Sequence, residues 1–377
     1  MKKSTFITAL LFLVILQSCS DSSFKQNLKV KKSLNGFNEK VDSIVIHKMN
    51  EYNIPGLSIG LVSNDSIIYT KGYGVRNIEL NNPVSEHTIF HTASISKLFT
   101  SSAIIKLSNE GLLSLDDKLY EIIPELQFKD ERVKKISIRD LLNHTSGLPD
   151  IGNYHWKNNN QSNTSLKEYV LSLNLKLESA PSLNYSYSNL GYNLLGYIIE
   201  KKTKSSFENY LKNEILIPSA MVFSDFKYFN IHDSLRSSPH TKNKIFSNVY
   251  RRDIYPYTRE HAASSTLNAS AMELSKWMIH FLQESKRNTH ENNYALTLKP
   301  TSAKFSHIGL GYQQYTFNSK HAIGHYGGDK GFRSFLMMIP EENIGLIVLG
   351  NCDYEEDFRQ EIIFPIAKLM ITKNKHH

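Results

Sequence analysis

The 377-residue sequence predicts an α/β (α+β) protein: an antiparallel sheet flanked by helices, with an inserted, mostly helical lobe. Three observations lead there. Paired β-rich runs occur near both ends of the chain, each pair joined by a short turn. Segments with helical spacing of apolar residues flank both pairs. The long stretch between them is rich in helix and loop signals, as expected of a lobe inserted between two halves of one sheet.

The chain is expected to open on a leader. Lys2 and Lys3 give a positive start, residues 5–16 form a short apolar stretch, and Leu16-Gln17-Ser18-Cys19 places small residues at a cleavage point. The apolar stretch is too short to cross a bilayer as a helix. A cysteine directly after it resembles a bacterial lipobox, so residues 1–19 are expected to be a lipoprotein-type signal peptide with Cys19 lipidated. Residues 20–35 are polar and predict a tether. The expected location is the bacterial cell envelope, periplasmic or anchored at the outer membrane. Net charge is +8, or +6 once Lys2 and Lys3 leave with the leader. The basic residues are scattered, which argues for anionic envelope surfaces and against nucleic acid as partners. With Cys19 lipidated, Cys352 has no disulfide partner and is expected to be a small buried hydrophobe.

The remainder, 36–373, predicts one domain, with a sheet lobe over about 36–107 and 301–373 and a helical lobe over about 108–300. Val41, Ile44, Val45, Ile46 and Met49 predict a helix over 38–50. Strands over 57–63 and 66–72 join at Asn64-Asp65 as a hairpin. Ile95, Leu98, Phe99, Ile105 and Leu107 predict a helix over 92–111, with Gly111 as its stop. Residues 153–163, polar and aromatic, predict an exposed loop, and 193–201 a helix. Near the C-terminus, strands over 321–326, 332–339 and 344–350 are expected, the last two around Pro340-Glu341-Glu342-Asn343. An amphipathic helix over 358–371 ends the domain.

Candidate chemistry sits in three short words. Ser-x-x-Lys occurs three times, at Ser22, Ser94 and Ser224, so the pattern alone selects nothing. Ser94 and Lys97 lie in the first turn of the expected helix, on one face, near the positive end of the helix dipole. A neutral Lys97 could take the serine proton; a cationic one could stabilise the alkoxide. Either needs Lys97 buried or paired, since its free pKa lies far above 7. Tyr187-x-Asn189 offers a phenol that becomes a base if a lysine ammonium lowers its pKa, and an amide with donor and acceptor. His325-x-Gly327 lies beside a glycine cluster on an expected strand, where a ligand can approach the backbone. Gly328 N–H and Ser94 N–H could form an oxyanion hole, and His325 could donate to a substrate carboxylate or hydroxyl. The plain alternatives are an N-capping serine, a surface lysine, a half-buried tyrosine and a structural histidine.

Taken in order, Ser94-x-x-Lys97, Tyr187-x-Asn189 and His325-x-Gly327 resemble the serine β-lactamase and penicillin-binding-protein superfamily. Within it they resemble the class C β-lactamases and related esterases, D-aminopeptidases and carboxypeptidases. The words "IFHTASISKLFTS", "ISIRDLLNHTSGLP", "YSYSNLGYNLLGYIIE" and "GHYGGDKGFRS" carry the same resemblance over about 37–371. It implies a serine hydrolase with a site in a cleft and no metal or organic cofactor. Ser94 would be acylated, and Lys97 and Tyr187 would move protons. Asn189 would hold a substrate amide and orient Lys97, with His325, Gly327 and Gly328 on the substrate side. The implied substrate is a small ester, amide or peptide. His144-Thr145-Ser146-Gly147 resembles an architectural turn of the family. Three departures stand out. His325-Tyr326-Gly327 occupies the place of Lys-Thr-Gly, replacing a fixed charge and a small hydroxyl by an imidazole and a bulky phenol. That favours an esterase or peptidase over a dedicated β-lactamase. Ser182 takes a usual glycine position after Pro181, and Ala262-Ala263 stand where paired glycines are common.

Overall fold

A computed structural model describes residues 36–243, 248–287 and 293–374. The expected leader 1–19, with Cys19, and the tether 20–35 lie outside the described residues. Among the described residues, no helix is long and apolar enough to cross a membrane.

A helix over 36–52, α1, is followed by the hairpin Gly56–Ser63 (β1) and Ser66–Asn77 (β2). A two-residue strand, Asn82–Pro83 (β3), then pairs with β2. The C-terminal part supplies Gln313–Phe317 (β4), Lys320–Asp329 (β5), Phe332–Ile339 (β6) and Ile344–Gly350 (β7). All join one sheet in the order β4-β5-β6-β7-β1-β2-β3. The link is β7 against β1, antiparallel from Leu57↔Gly350 to Ser63↔Ile344. Both strands are buried along their whole length, which is why "GLSIGLVS" and "IGLIVLG" read as continuous apolar runs without alternation. The expected antiparallel sheet is therefore present, and both ends of the chain contribute to it. β3 and β4 were not expected, being too short or too polar to signal themselves.

Ser96–Asn109 (α2) is buried nearly all round. Asn189–Thr203 (α3) packs on α2, and Ala271–Lys286 (α4) packs on β1 and β7. Gly60 permits that second contact: a Cβ there would lie 2.3 Å from Ser275 Oγ and 2.8 Å from the Ala271 carbonyl oxygen. Arg359–Asn374 (α5) packs on β6 and β7. Two expected helix starts move by four residues. The helix expected from residue 92 begins at Ser96, after a 3₁₀ turn over Ala93–Ile95 entered through Ala93 at φ +50°. α3 begins at Asn189, four residues before the expected 193, because Ser188 caps it by accepting from Gly191 N–H. Cys352 is fully buried, as expected, and burial raises its thiol pKa above the usual range.

Candidate active site

Ser94 sits in the 3₁₀ turn before α2, half-buried. The turn is tied down from several sides. Ser96 Oγ donates to Ala93 O (2.6 Å), Thr92 Oγ1 donates to Leu267 O (2.9 Å), and Ser334 Oγ on β6 donates to Thr92 O (2.8 Å). These contacts hold a non-glycine residue, Ala93, in the left-handed region immediately before Ser94.

Lys97 projects from the first turn of α2 and is fully buried. Its Nζ lies 3.1 Å from Ser94 Oγ, 2.6 Å from Asn189 Oδ1 and 2.7 Å from the Ser264 carbonyl oxygen. It also lies 5.1 Å and 5.5 Å from the ring centres of Tyr187 and Tyr192. Desolvation lowers its pKa to about 7, against the opposing pull of the Asp329 and Asp150 carboxylates. Tyr187 donates its hydroxyl to Ser94 Oγ at 3.1 Å. Its pKa moves opposite to the sequence expectation: burial holds it well above 10, outweighing the bond to Ser94. The lysine, not the tyrosine, is therefore the group tuned toward neutral pH.

His144, expected to be architectural, buttresses this tyrosine. Its ring lies tilted against that of Tyr187 (34°, centres 4.4 Å apart), and its Nδ1 accepts from Ser188 N–H at 3.1 Å. Asn189, first residue of α3, gives its Oδ1 to Lys97. Its Nδ2 directs one N–H at Asp150, 3.0 and 3.2 Å from the two carboxylate oxygens, and keeps its second N–H; its backbone N–H donates to Asp150 Oδ1 at 2.7 Å. Asp150 and Ser264 were missed by sequence reasoning. Ser264 contributes only a carbonyl, which no side-chain pattern reveals. Asp150 follows the "HTSGLP" word by one residue and is 39 residues from its partner.

Strand β5 supplies the opposite wall. Side chains alternate along it, so His325 and Gly327 share one face and Tyr326 takes the other. Tyr326 stacks on Phe335 (4.0 Å, 1°), and its hydroxyl bonds Gln360 Nε2 on α5 (2.5 Å). The bulky phenol expected beside the substrate therefore lies on the α5 side of the sheet. Gly327 is required by contact: a Cβ would lie 2.1 Å from Ser334 Oγ and 2.2 Å from the Thr92 carbonyl oxygen, in the turn that carries Ser94. Gly328 follows it, exposed, beyond Gly324, the last β5 residue paired with β4. His325 is 1% exposed, and its Nδ1 bonds the Tyr326 carbonyl oxygen. That oxygen can only accept, so Nδ1 carries the proton and Nε2 carries a lone pair. Nε2 has no partner, and burial with the nearby Lys97 lowers the ring pKa to about 3. The expected donation from His325 to a substrate is thus reversed: it offers an acceptor.

The other two Ser-x-x-Lys matches separate from this one. Ser224 Oγ donates to Glu273 Oε2 at 2.6 Å and Lys227 Nζ bonds Asn163, while Ser22 lies outside the described residues.

Comparison with known proteins agrees with this architecture. The family model described as Beta-lactamase matches residues 41–369. "Protein flp" of Staphylococcus aureus (strain COL) is 28% identical over 334 residues, covering 85% of this chain; the chain spans 64% of that protein's length. "Penicillin-binding protein 4*" of Bacillus subtilis (strain 168) is 24% identical over 314 residues, covering 79% of this chain and 68% of that protein. Among solved structures, the octameric penicillin-binding protein homologue from Pyrococcus abyssi superposes with a TM-score of 0.76 at 28% identity, covering 88% of this chain and 77% of the other. A class C β-lactamase superposes with a TM-score of 0.73 at 21% identity, covering 88% and 96%, a likeness of fold. With its sheet, its helices and nearly its whole described length matched, the chain belongs to the Beta-lactamase family of serine hydrolases.

Proposed function

We propose that the protein is a cell-envelope serine hydrolase that cleaves a small ester or amide, peptides included, through an acyl-enzyme on Ser94. The observation that carries this reading is the environment of Lys97. A neutral amine has two N–H bonds and one lone pair. Asn189 Oδ1 and the Ser264 carbonyl accept the two hydrogens, so the lone pair is left for the Ser94 hydroxyl at 3.1 Å. A pKa near 7 makes that neutral form abundant at physiological pH. Ser94 Oγ adds to the substrate carbonyl while its proton passes to Lys97. The backbone N–H groups of Ser94 and Gly328 stabilise the oxyanion. Collapse expels the alcohol or amine, protonated by Tyr187, whose hydroxyl is 3.1 Å from Oγ, and the Lys97 ammonium returns the serine proton to Tyr187, leaving both groups neutral for deacylation. Water then attacks the acyl-enzyme by the reverse proton path. The leader and Cys19 complete the reading as a lipid anchor on an envelope membrane.

Intact-mass spectrometry tests both parts. A fluorophosphonate should add one mass to the wild type and none to Ser94→Ala. Protein extracted from membranes should lack residues 1–18 and carry a diacylglyceryl mass on Cys19. Unchanged labelling of Ser94→Ala would reject the nucleophile, and an unmodified, uncleaved N-terminus would reject the anchor. A penicillin adduct that persists without turnover would instead support a binding protein for cell-wall peptides.

A further inference from the structure

The C=O and N–H of a trans peptide point opposite ways, so whatever holds the carbonyl also aims the N–H. The Gly327–Gly328 peptide carries the N–H proposed for the oxyanion, and its carbonyl is held by a cation. Arg359, first residue of α5, donates from Nη1 to the Gly327 carbonyl oxygen at 2.7 Å and to that of Ser334, on β6, at 3.1 Å. One nitrogen reaches both only if both carbonyls point into the gap between β5 and β6, where Gly327 pairs with Ser334. The Gly328 N–H then points away from β6. The far edge of β5 agrees: Tyr326 N–H bonds Gln313 Oε1 of β4 at 3.4 Å, and an N–H two residues further along a strand points the same way. β4 reaches no further, its last pairing being Gln313 with Gly324, so that edge is open to a substrate oxygen. Arg359 itself is locked. Its Nε and Nη2 donate to the two oxygens of Asp357 at 2.7 and 2.6 Å, and its guanidinium lies 4.8 Å from the Tyr326 ring centre. With Nη1 on two carbonyls and Nε and Nη2 on Asp357, no pair of parallel N–H bonds is left for a substrate carboxylate. Other bonds keep β5 against the nucleophile turn: Asp329 Oδ2 meets His91 Nε2 at 2.8 Å, and Ser334 Oγ donates to Thr92 O at 2.8 Å.

We infer that Arg359 is a positioning residue for the oxyanion hole. It fixes the plane of the Gly327–Gly328 peptide with the N–H toward the oxyanion formed at Ser94. Its charge draws electron density toward the carbonyl oxygen and so strengthens the N–H as a donor, as hydrogen bonds in a chain polarise one another. This rests on acylation of Ser94 with Gly328 N–H in the hole. Removing one oxyanion donor outright lowers kcat by about 10²–10³, so weakening one should lower it about tenfold.

The test compares Arg359→Met, which removes the charge and keeps an extended side chain, with Arg359→Lys, which keeps the charge. A thermal melt checks that each is folded; Arg359→Gln takes the place of a methionine variant that is not. Each protein is labelled on Ser94 with a fluorophosphonate, whose phosphonyl oxygen takes the place of the oxyanion. The phosphorus NMR resonance of the adduct is recorded folded and again in urea. The difference between the two reads the hydrogen bonding to that oxygen. Arg359→Met should reduce the difference by at least a third and lower kcat for 4-nitrophenyl butyrate about tenfold, with KM within about twofold of the wild type. Arg359→Lys should keep more of both. A wild-type resonance in folded Arg359→Met would overturn the assignment even if kcat fell, because a purely structural loss lowers activity without weakening the hole. An unchanged kcat, or a lysine variant no better than the methionine one, would overturn it too. Absence of labelling in the wild type would show instead that the nucleophile reading had failed, and this assignment with it.

Discussion

Lys97 concentrates the chemistry in one side chain. Moving its pKa from 10.5 to about 7 corresponds to about 5 kcal/mol against the charged form. That figure is already net of the Asp329 and Asp150 carboxylates; the two tyrosine faces, above 5 Å and at up to about 2 kcal/mol each, do not recover it. If the neutral amine is the base, the rate of Ser94 acylation rises with pH and reaches half its plateau near pH 7. Stopped-flow labelling by a fluorophosphonate between pH 5 and 9 measures this. Tyr187→Phe should slow turnover about 100-fold or more while keeping the same inflection. Loss of the inflection would transfer the base role to the tyrosine. The Ser94–Lys97 pair was legible in the sequence because three residues make one helical turn. The protonation states were not, because they follow from desolvation by residues 92 to 167 positions away.

At the scale of elements, the site depends on close approaches among three segments: the turn before α2, the start of α3 and strand β5. Gly327 allows β5 to touch the Thr92 carbonyl. The loop before α3 solves a different problem. Ser182 stands in a left-handed conformation, φ +62°, that a glycine would adopt without cost. In compensation, its Oγ donates to buried Asp140 at 2.6 Å. Asp140 also accepts from Ser137 N–H, Ser137 Oγ and Thr145 Oγ1, closing the capping box of the helix Ile138–Leu142. Ser182→Ala should therefore cost about 1–3 kcal/mol, since the strain stays and a charged acceptor loses a donor. Ser182→Gly should cost less, because relief of about 1 kcal/mol of backbone strain offsets part of the loss. Urea denaturation of both variants checks the order; a glycine variant less stable than the alanine one would refute it. The substitution looked like a departure because its compensation lies 42 residues away.

For the whole molecule, burial lowers the pKa of six described histidines, and four of them are almost wholly inaccessible. His144, His240, His261 and His325 all have pKa values lowered by desolvation, to about 4 for His240 and about 3 for His261 and His325. Unfolding restores values near 6.5, so below that pH the unfolded chain binds more protons than the folded one. Their contribution to stability is complete above about pH 6.5 and is lost as pH falls toward 4. Four protons at about 1.4 kcal/mol per pH unit each give a slope of up to about 5 kcal/mol per unit near pH 5. Melting temperature measured from pH 7.5 to 4 should fall steeply across that window; a flat profile would show that these rings protonate in place. The sequence by itself determined the antiparallel sheet from its apolar runs, the family from its words, and the Ser94–Lys97 pair from helical spacing. Each of those signals is carried by residues close together in the sequence. Only the tertiary structure decided that Lys97 is tuned toward pH 7, that Tyr187 remains a neutral phenol, that His325 keeps a buried, unpartnered Nε2 lone pair, and that Asp150 takes one hydrogen of the Asn189 amide. Those outcomes depend on which groups lose water and which distant groups they then meet, and no short-range pattern encodes either.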